Sequence, residues 1–144
     1  MGIKDSSGDI NNILRYISHT HEGFSVLAGT DSLIYDTLEA GGKGAIAATA
    51  NVVPELVVLI YKYWKQDRKS EAQEAQEKII RIRECFSLGT SPGVLKQMVS
   101  LVQFPVGPPR MPVCELSEHE ERNLIRMLEA YMTDVNTLKC RIQA

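Results

Sequence analysis

The feature that most constrains the fold of this chain is the alternation, through its first half, of short apolar runs with single helical stripes. Gly2 to Asp5 reads as the end of a strand, and Phe24-Ser25-Val26-Leu27-Ala28, set between Gly23 and Gly29, reads as a second. Gly44 to Ala47 reads as a third. Ile10, Ile13, Leu14 and Ile17 recur at helical spacing and predict a helix from Asp9 to Ser18. Another is predicted from Ser32 to Ala40, stopping at Gly41-Gly42 where a positive φ costs little. Pro54 suits a first helical turn, and Leu56, Leu59, Ile60 and Tyr63 carry that stripe through Trp64. Strands separated by single helices need crossover connections, so the three strands are expected to lie parallel in one sheet.

Beyond Trp64 the pattern is helical throughout. Ala72, Ala75, Ile79, Ile82 and Phe86 recur by threes and fours, predicting a helix over residues 68–86 with an apolar seam. Gly89 to Gly93 breaks it, a short helix follows from Val94 to Leu101, and Phe104 to Pro112 is a proline-rich loop. Ser117 and Glu120 form a capping box that opens a last helix. With no repeat and no linker, one domain is expected, its βα portion over residues 1–66 and a helical appendix over residues 67–144 packed on it.

Composition removes several classes of function. Hydrophobic residues make up 44% and charged residues 24%, the balance of a globular chain with a core. Sixteen basic and eighteen acidic residues give a formal charge of -2, which leaves no positive field for nucleic acid. No apolar run reaches the roughly 18 residues that cross a bilayer. Cys85, Cys114 and Cys140 are too dispersed for a zinc or redox pair, so neither metal nor disulfide is expected and a reducing cytoplasm fits best. Gly2 and Ser6 satisfy the short N-myristoylation pattern, which fixes only two positions. His19 and His21 lack a third ligand, and Gly41-Gly42-Lys43-Gly44 lacks the spacing of a phosphate loop.

In a βα chain, functional residues gather where strands give way to loops. Three such rims occur: Lys4 to Gly8, Gly29 to Ser32, and Ile46 to Asn51. Lys4 is the informative residue. A lysine inside a strand would present its amine to the concave face of the sheet, where charge is costly and the neutral, nucleophilic form is favoured. Such an amine can attack the ketone of a 2-oxo acid. The plainer alternatives are a lysine that snorkels to water or one that pairs with Asp5.

Gly2-Ile3-Lys4-Asp5-Ser6-Ser7-Gly8-Asp9 resembles the Schiff-base strand of the dihydrodipicolinate synthase and N-acetylneuraminate lyase family. Leu27-Ala28-Gly29-Thr30-Asp31 resembles the family's next strand, which ends in glycine, any residue, then aspartate. Gly42-Lys43-Gly44-Ala45-Ile46-Ala47, with Ala50-Asn51 and Pro54, resembles the strand after that. All three occur in family order and spacing, and Pro112 with Leu116-Ser117 resembles the family's ending more loosely. The segment after Met132 matches nothing comparable.

The resemblance implies an α/β fold, the second half of a (β/α)8 TIM barrel made of three parallel βα units and a helical appendix. It implies a class I lyase or aldolase without cofactor, in which Lys4 forms an imine with pyruvate or another 2-oxo acid. Gly29, Thr30 and the backbone of Ile46 would line the pocket. Asp31 falls where sialic-acid-cleaving members bind a substrate hydroxyl, although it also suits an N-cap for the helix at Ser32. Ala48 departs from those members, which carry serine there. The family's proton-relay tyrosine and carboxylate-gripping pair come from earlier strands, and Tyr16, Tyr35, Tyr61, Tyr63 and Tyr131 all lie on predicted helices. A barrel typically takes about 250 residues. The chain is therefore expected to pair with a second copy or with an amino-terminal half, its open parallel edges demanding partners. A catalytically inactive half-barrel serving in assembly or regulation, or a truncated product, is the alternative.

Overall fold

The computed structural model describes the backbone of residues 1–143 and the side chains of residues 1–133. The side chains after Thr133, that of Cys140 among them, lie outside the described residues. Three strands, β1 (Gly2–Asp5), β2 (Ser25–Ala28) and β3 (Gly44–Ala45), form a parallel sheet in that order. In register, Lys4 lies beside Leu27 and Asp5 beside Ala28, while Leu27 and Ala28 lie beside Gly44 and Ala45.

Helix α1 (Ile10–His19) is started by Asp9, whose side chain accepts from the Asn11 amide. Helix α2 (Ile34–Glu39) is shorter than predicted, because residues Asp31–Leu33 form a separate 3-10 turn before it. The stop at Gly41 is as expected, with a φ of 101° that a side chain would resist. Strand β3 is also shorter than the predicted Gly44 to Ala47. After the Ile46 amide donates to the Ala28 carbonyl at 2.8 Å, the chain coils at Ala48 into a 3-10 turn, Ala48–Asn51. Helix α3 (Pro54–Lys65) begins on its proline. Asp67, at a φ of 58°, then reverses the chain into α4 (Lys69–Glu84).

Helix α4 ends two residues before the predicted Phe86, in a 3-10 turn over Cys85–Leu88. That tightening shifts the phase, so Cys85 rather than Phe86 fills the seam and is fully buried. Helix α5 (Gly93–Val102) follows, and α6 (Glu118–Gln143) opens on the expected capping box. Ser117 and Glu120 bond reciprocally there, the Ser117 amide and hydroxyl each donating to the Glu120 carboxylate at 2.7 Å and the Glu120 amide donating to Ser117 Oγ at 3.4 Å.

The helices bury one face of the sheet. Successive strand residues point to opposite faces, so Val26, Ala28 and Asp5 face inward and are buried. Lys4, Leu27, Ser25 and Gly44 occupy the other face. A continuous apolar cluster runs from Ala28 through Leu38, Ile60, Ile79 and Met98 to Leu128, so the βα units and the later helices share one core. Among the described residues, no helix is long and apolar enough to cross a membrane.

Candidate active site

Lys4 stands on the face of the sheet that the helices leave bare, next to the end of β1. It is exposed, which corrects the expected enclosure of its amine: all the burying helices lie behind the opposite face. Nor does it pair with Asp5. The Asp5 side chain points inward, and its carboxylate accepts from the Ser7 amide at 3.1 Å and the Ser7 hydroxyl at 2.6 Å. Ser7 Oγ in turn accepts from the Asp9 amide at 3.1 Å and from Asn12 Nδ2 at 3.2 Å. The loop after Lys4 is thus tied to the start of α1 by side chains that bond to backbone amides and to one another.

Gly29 brings β2 against this loop. Its amide donates to the Asp5 carbonyl at 2.6 Å. A Cβ at this position would lie 2.2 Å from Ser6 Oγ, 2.6 Å from Lys4 Cε and 2.7 Å from the Asp5 carbonyl oxygen. Only glycine lets the lysine stem and the loop close over the strand end in this way.

Asp31 does not take the N-cap position expected of it. It is 3% exposed, within the 3-10 turn rather than capping the helix that follows, and the cap residue of that turn is Thr30. Its carboxylate reaches across to the third rim, accepting from the Ala48 amide at 3.2 Å and the Thr49 amide at 2.8 Å. Both are free amides at the start of the next 3-10 turn, and the carboxylate satisfies them. Asp31 therefore holds the loop beyond β3 against the loop beyond β2. Ile46 lies just before that point, its side chain 51% exposed and its amide committed to Ala28. Thr30 is half-buried, and its carbonyl accepts from the Leu33 amide at 2.9 Å.

The sequence reading missed Gln76. It lies on the buried seam of α4, where its amide bonds both to the Asp31 carbonyl and to the Tyr35 amide, each at 2.9 Å. A polar residue four positions after Ala72 and three before Ile79, inside an otherwise apolar stripe, was the available signal.

The remaining candidates are accounted for locally. Tyr35 and Tyr63 are core residues at 7% and 6% exposure. Tyr131 donates to the Glu84 carboxylate, which with burial pushes its hydroxyl up to about 12. Burial pushes the Cys85 thiol up to about 11, the state of an inert core cysteine. His19 Nδ1 lies 2.9 Å from the Arg15 carbonyl and His21 Nδ1 2.7 Å from the Glu22 carbonyl. Gly2 is paired with Ser25 in the sheet.

The geometry agrees with three comparisons. The dihydrodipicolinate synthetase family model matches residues 1–131. The 4-hydroxy-tetrahydrodipicolinate synthase of Methanopyrus kandleri is 36% identical over 129 residues, which are 90% of this chain and 43% of that one. Among solved structures, a variant of the 2-keto-3-deoxygluconate aldolase of Sulfolobus solfataricus superposes with a TM-score of 0.87 at 28% identity, covering 96% of this chain and 47% of that one. A prophage protein of the dihydrodipicolinic acid synthase family from E. coli K12, in complex with pyruvate, superposes with a TM-score of 0.85 at 28% identity, over 92% and 46% of the two chains. These neighbours are TIM-barrel proteins, and the chain spans less than half the length of each of these relatives. Since the family model matches residues 1–131 of its 144, this chain belongs to the dihydrodipicolinate synthetase family.

Proposed function

We propose that the chain carries the imine-forming strand of a class I lyase or aldolase acting on pyruvate or a related 2-oxo acid. The observation that carries this reading is Lys4, set on the uncovered face at the end of β1 with its stem against the backbone of Gly29. In the proposed chemistry the Lys4 amine adds to the ketone carbon, and loss of water leaves an iminium. Withdrawal of a proton from the adjacent carbon then gives an enamine, the species that makes or breaks a carbon–carbon bond. No cofactor is needed, because the iminium is the electron sink.

Gly29, Thr30 and the backbone at Ile46 flank the place where the iminium would form, and Asp31 serves by holding the third rim rather than by meeting a substrate hydroxyl. A pyruvate complex and a keto-sugar-acid aldolase among the neighbours support the substrate class. Alanine at position 48, with the burial of Asp31, makes sialic acid the weaker candidate.

The exposure of Lys4 and the relatives' double length support a further element of the proposal. The three βα units form part of a (β/α)8 barrel, and a second βα segment, from another copy or another half, closes over the bare face. The same exposure favours a second reading, in which the chain alone is an inactive assembly module. Ordinary aldol turnover by the isolated 144-residue chain would dispose of that second reading.

The imine is tested by reducing the protein with borohydride in the presence of pyruvate, followed by peptide mass spectrometry. One reduced pyruvyl group is expected at Lys4 and none in Lys4→Arg, whose guanidinium stays protonated and forms no imine. Labels spread over surface lysines, unchanged in the variant, would overturn the assignment.

A further inference from the structure

Helix α4 buries Ala72, Ala75, Ile79 and Ile82 completely, and Gln76 sits among them at 6% exposure. A buried carboxamide is costly unless its donors and acceptor find partners. Here Oε1 accepts from the Tyr35 amide and Nε2 donates to the Asp31 carbonyl, each at 2.9 Å. Tyr35 lies in the first turn of α2, where its amide has no helical acceptor, and Asp31 opens the 3-10 turn immediately before. The Asp31 carboxylate then grips the amides of Ala48 and Thr49. A continuous chain of hydrogen bonds thus leads from α4 to the second rim and on to the third, across sequence separations of 45 and 18 residues.

We infer that Gln76 is a positioning residue for the loops beside Lys4, an inference that rests on the 2-oxo acid reading above. Neither Gln76 hydrogen bond is to Lys4, so its action runs through Asp31. It fixes the turn at Asp31, the carboxylate then fixes Ala48 and Thr49, and the backbone between Thr30 and Ala48 is held in one arrangement.

The test combines borohydride trapping of pyruvate at Lys4, followed as a function of pyruvate concentration, with amide exchange read residue by residue by NMR. In Gln76→Leu, which loses both hydrogen bonds, the pyruvate concentration for half-maximal trapping is expected to rise about fivefold, the effect of the one that reaches Asp31, while the rate at saturation stays within about twofold. Exchange at Ala48 and Thr49, which Gln76 does not touch, is expected to quicken about tenfold. Should that variant fail to fold, Gln76→Glu at a pH where its carboxyl is ionised keeps the acceptor for Tyr35 and sets a charged oxygen against the Asp31 carbonyl in place of the donor, with the same outcome expected. Ile79→Val, on the same buried seam, is the control for lost stability alone, and is expected to change neither readout. Unchanged exchange at Ala48 and Thr49 overturns the inference. So does an unchanged half-saturation, or an Ile79→Val variant that behaves like Gln76→Leu. If the unsubstituted chain traps no pyruvate, the 2-oxo acid reading fails by itself, and the exchange at Ala48 and Thr49 still decides whether Gln76 fixes the rim.

Discussion

The two faces of the sheet are built from the same three strands and have opposite fates. On one, Val26 and Ala28 are 2% and 1% exposed, covered by helices. On the other, Leu27 is half-buried and Lys4 exposed, although Leu27 is as apolar as Val26. Parallel sheets are ordinarily covered on both faces. The difference separates two jobs: the covered face supplies the free energy of folding, and the bare face carries Lys4, on which the proposed imine chemistry and the proposed closure by a further βα segment both depend. Substitutions on the two faces therefore ought to fail in different ways.

The largest effect is expected on the covered side. Ile79, fully buried in α4, leaves a cavity when cut to alanine, and the loss should be about 2–5 kcal/mol in urea unfolding. Leu27→Ala, on the bare face, should cost roughly 1 kcal/mol, because water already reaches part of the side chain. Equal losses would erase the distinction between the faces and imply that something covers Leu27 as fully as Ile79.

A smaller effect is expected where the faces meet, at Gly29. The added methyl of Gly29→Ala meets the Asp5 carbonyl at 2.7 Å, a backbone atom that can yield only if β1 moves, as well as the Lys4 stem. Overpacking of this kind costs about 1–3 kcal/mol. Because the clash falls on Lys4 itself, pyruvate labelling should drop more than stability does. Labelling at the unsubstituted level in a folded Gly29→Ala protein would detach the lysine's reactivity from its seat on β2.

Much of this was legible in the sequence, and what was legible was local. The ends of β1 and β2, the stop at Gly41, the proline start of α3 and the Ser117–Glu120 box each depend on a few neighbouring residues whose preferences agree. The positions of Lys4, Gly29 and Ile46 at or just beyond strand ends were legible for the same reason. What escaped were contacts between distant segments. Asp31 is a good N-cap residue by type, and nothing in its neighbourhood says that its carboxylate will serve amides 17 and 18 residues later. That bond also ends β3 early, since Ala48 and Thr49 turn toward Asp31 instead of extending the strand. Gln76 was hidden by its stripe, because hydrophobic periodicity counts a buried amide as an interruption and not as a partner. The exposure of Lys4 escaped because burial depends on which face the helices choose, and alternation along a strand is symmetric between the two.

The smallest effect concerns a cluster on the helical side. Glu39 accepts from Lys69 Nζ at 2.8 Å and from Trp64 Nε1 at 2.9 Å, linking the end of α2 to α3 and α4. The Lys69 hydrogen bond, helped by the ammonium charge and by Trp64, holds the Glu39 carboxyl below its usual 4.5, and the same pair raises Lys69 above 10.5. A depressed carboxyl contributes stability above its unfolded value and loses it as the pH falls through the folded one. A raised ammonium contributes below its unfolded value and loses it as the pH rises through the folded one. The contribution is therefore whole between about 4.5 and 10.5 and fades on both sides. Glu39→Gln keeps an acceptor for Trp64 but removes the charge, so the difference in melting temperature from the parent should be greatest within that window and shrink below and above it. Added salt should diminish the difference, because the pair is solvent-exposed. Pyruvate labelling at Lys4 should not change, since the cluster lies on the covered side. A Glu39→Gln protein with altered labelling would mean that the two faces are coupled through α2, and that the division of labour between them is incomplete.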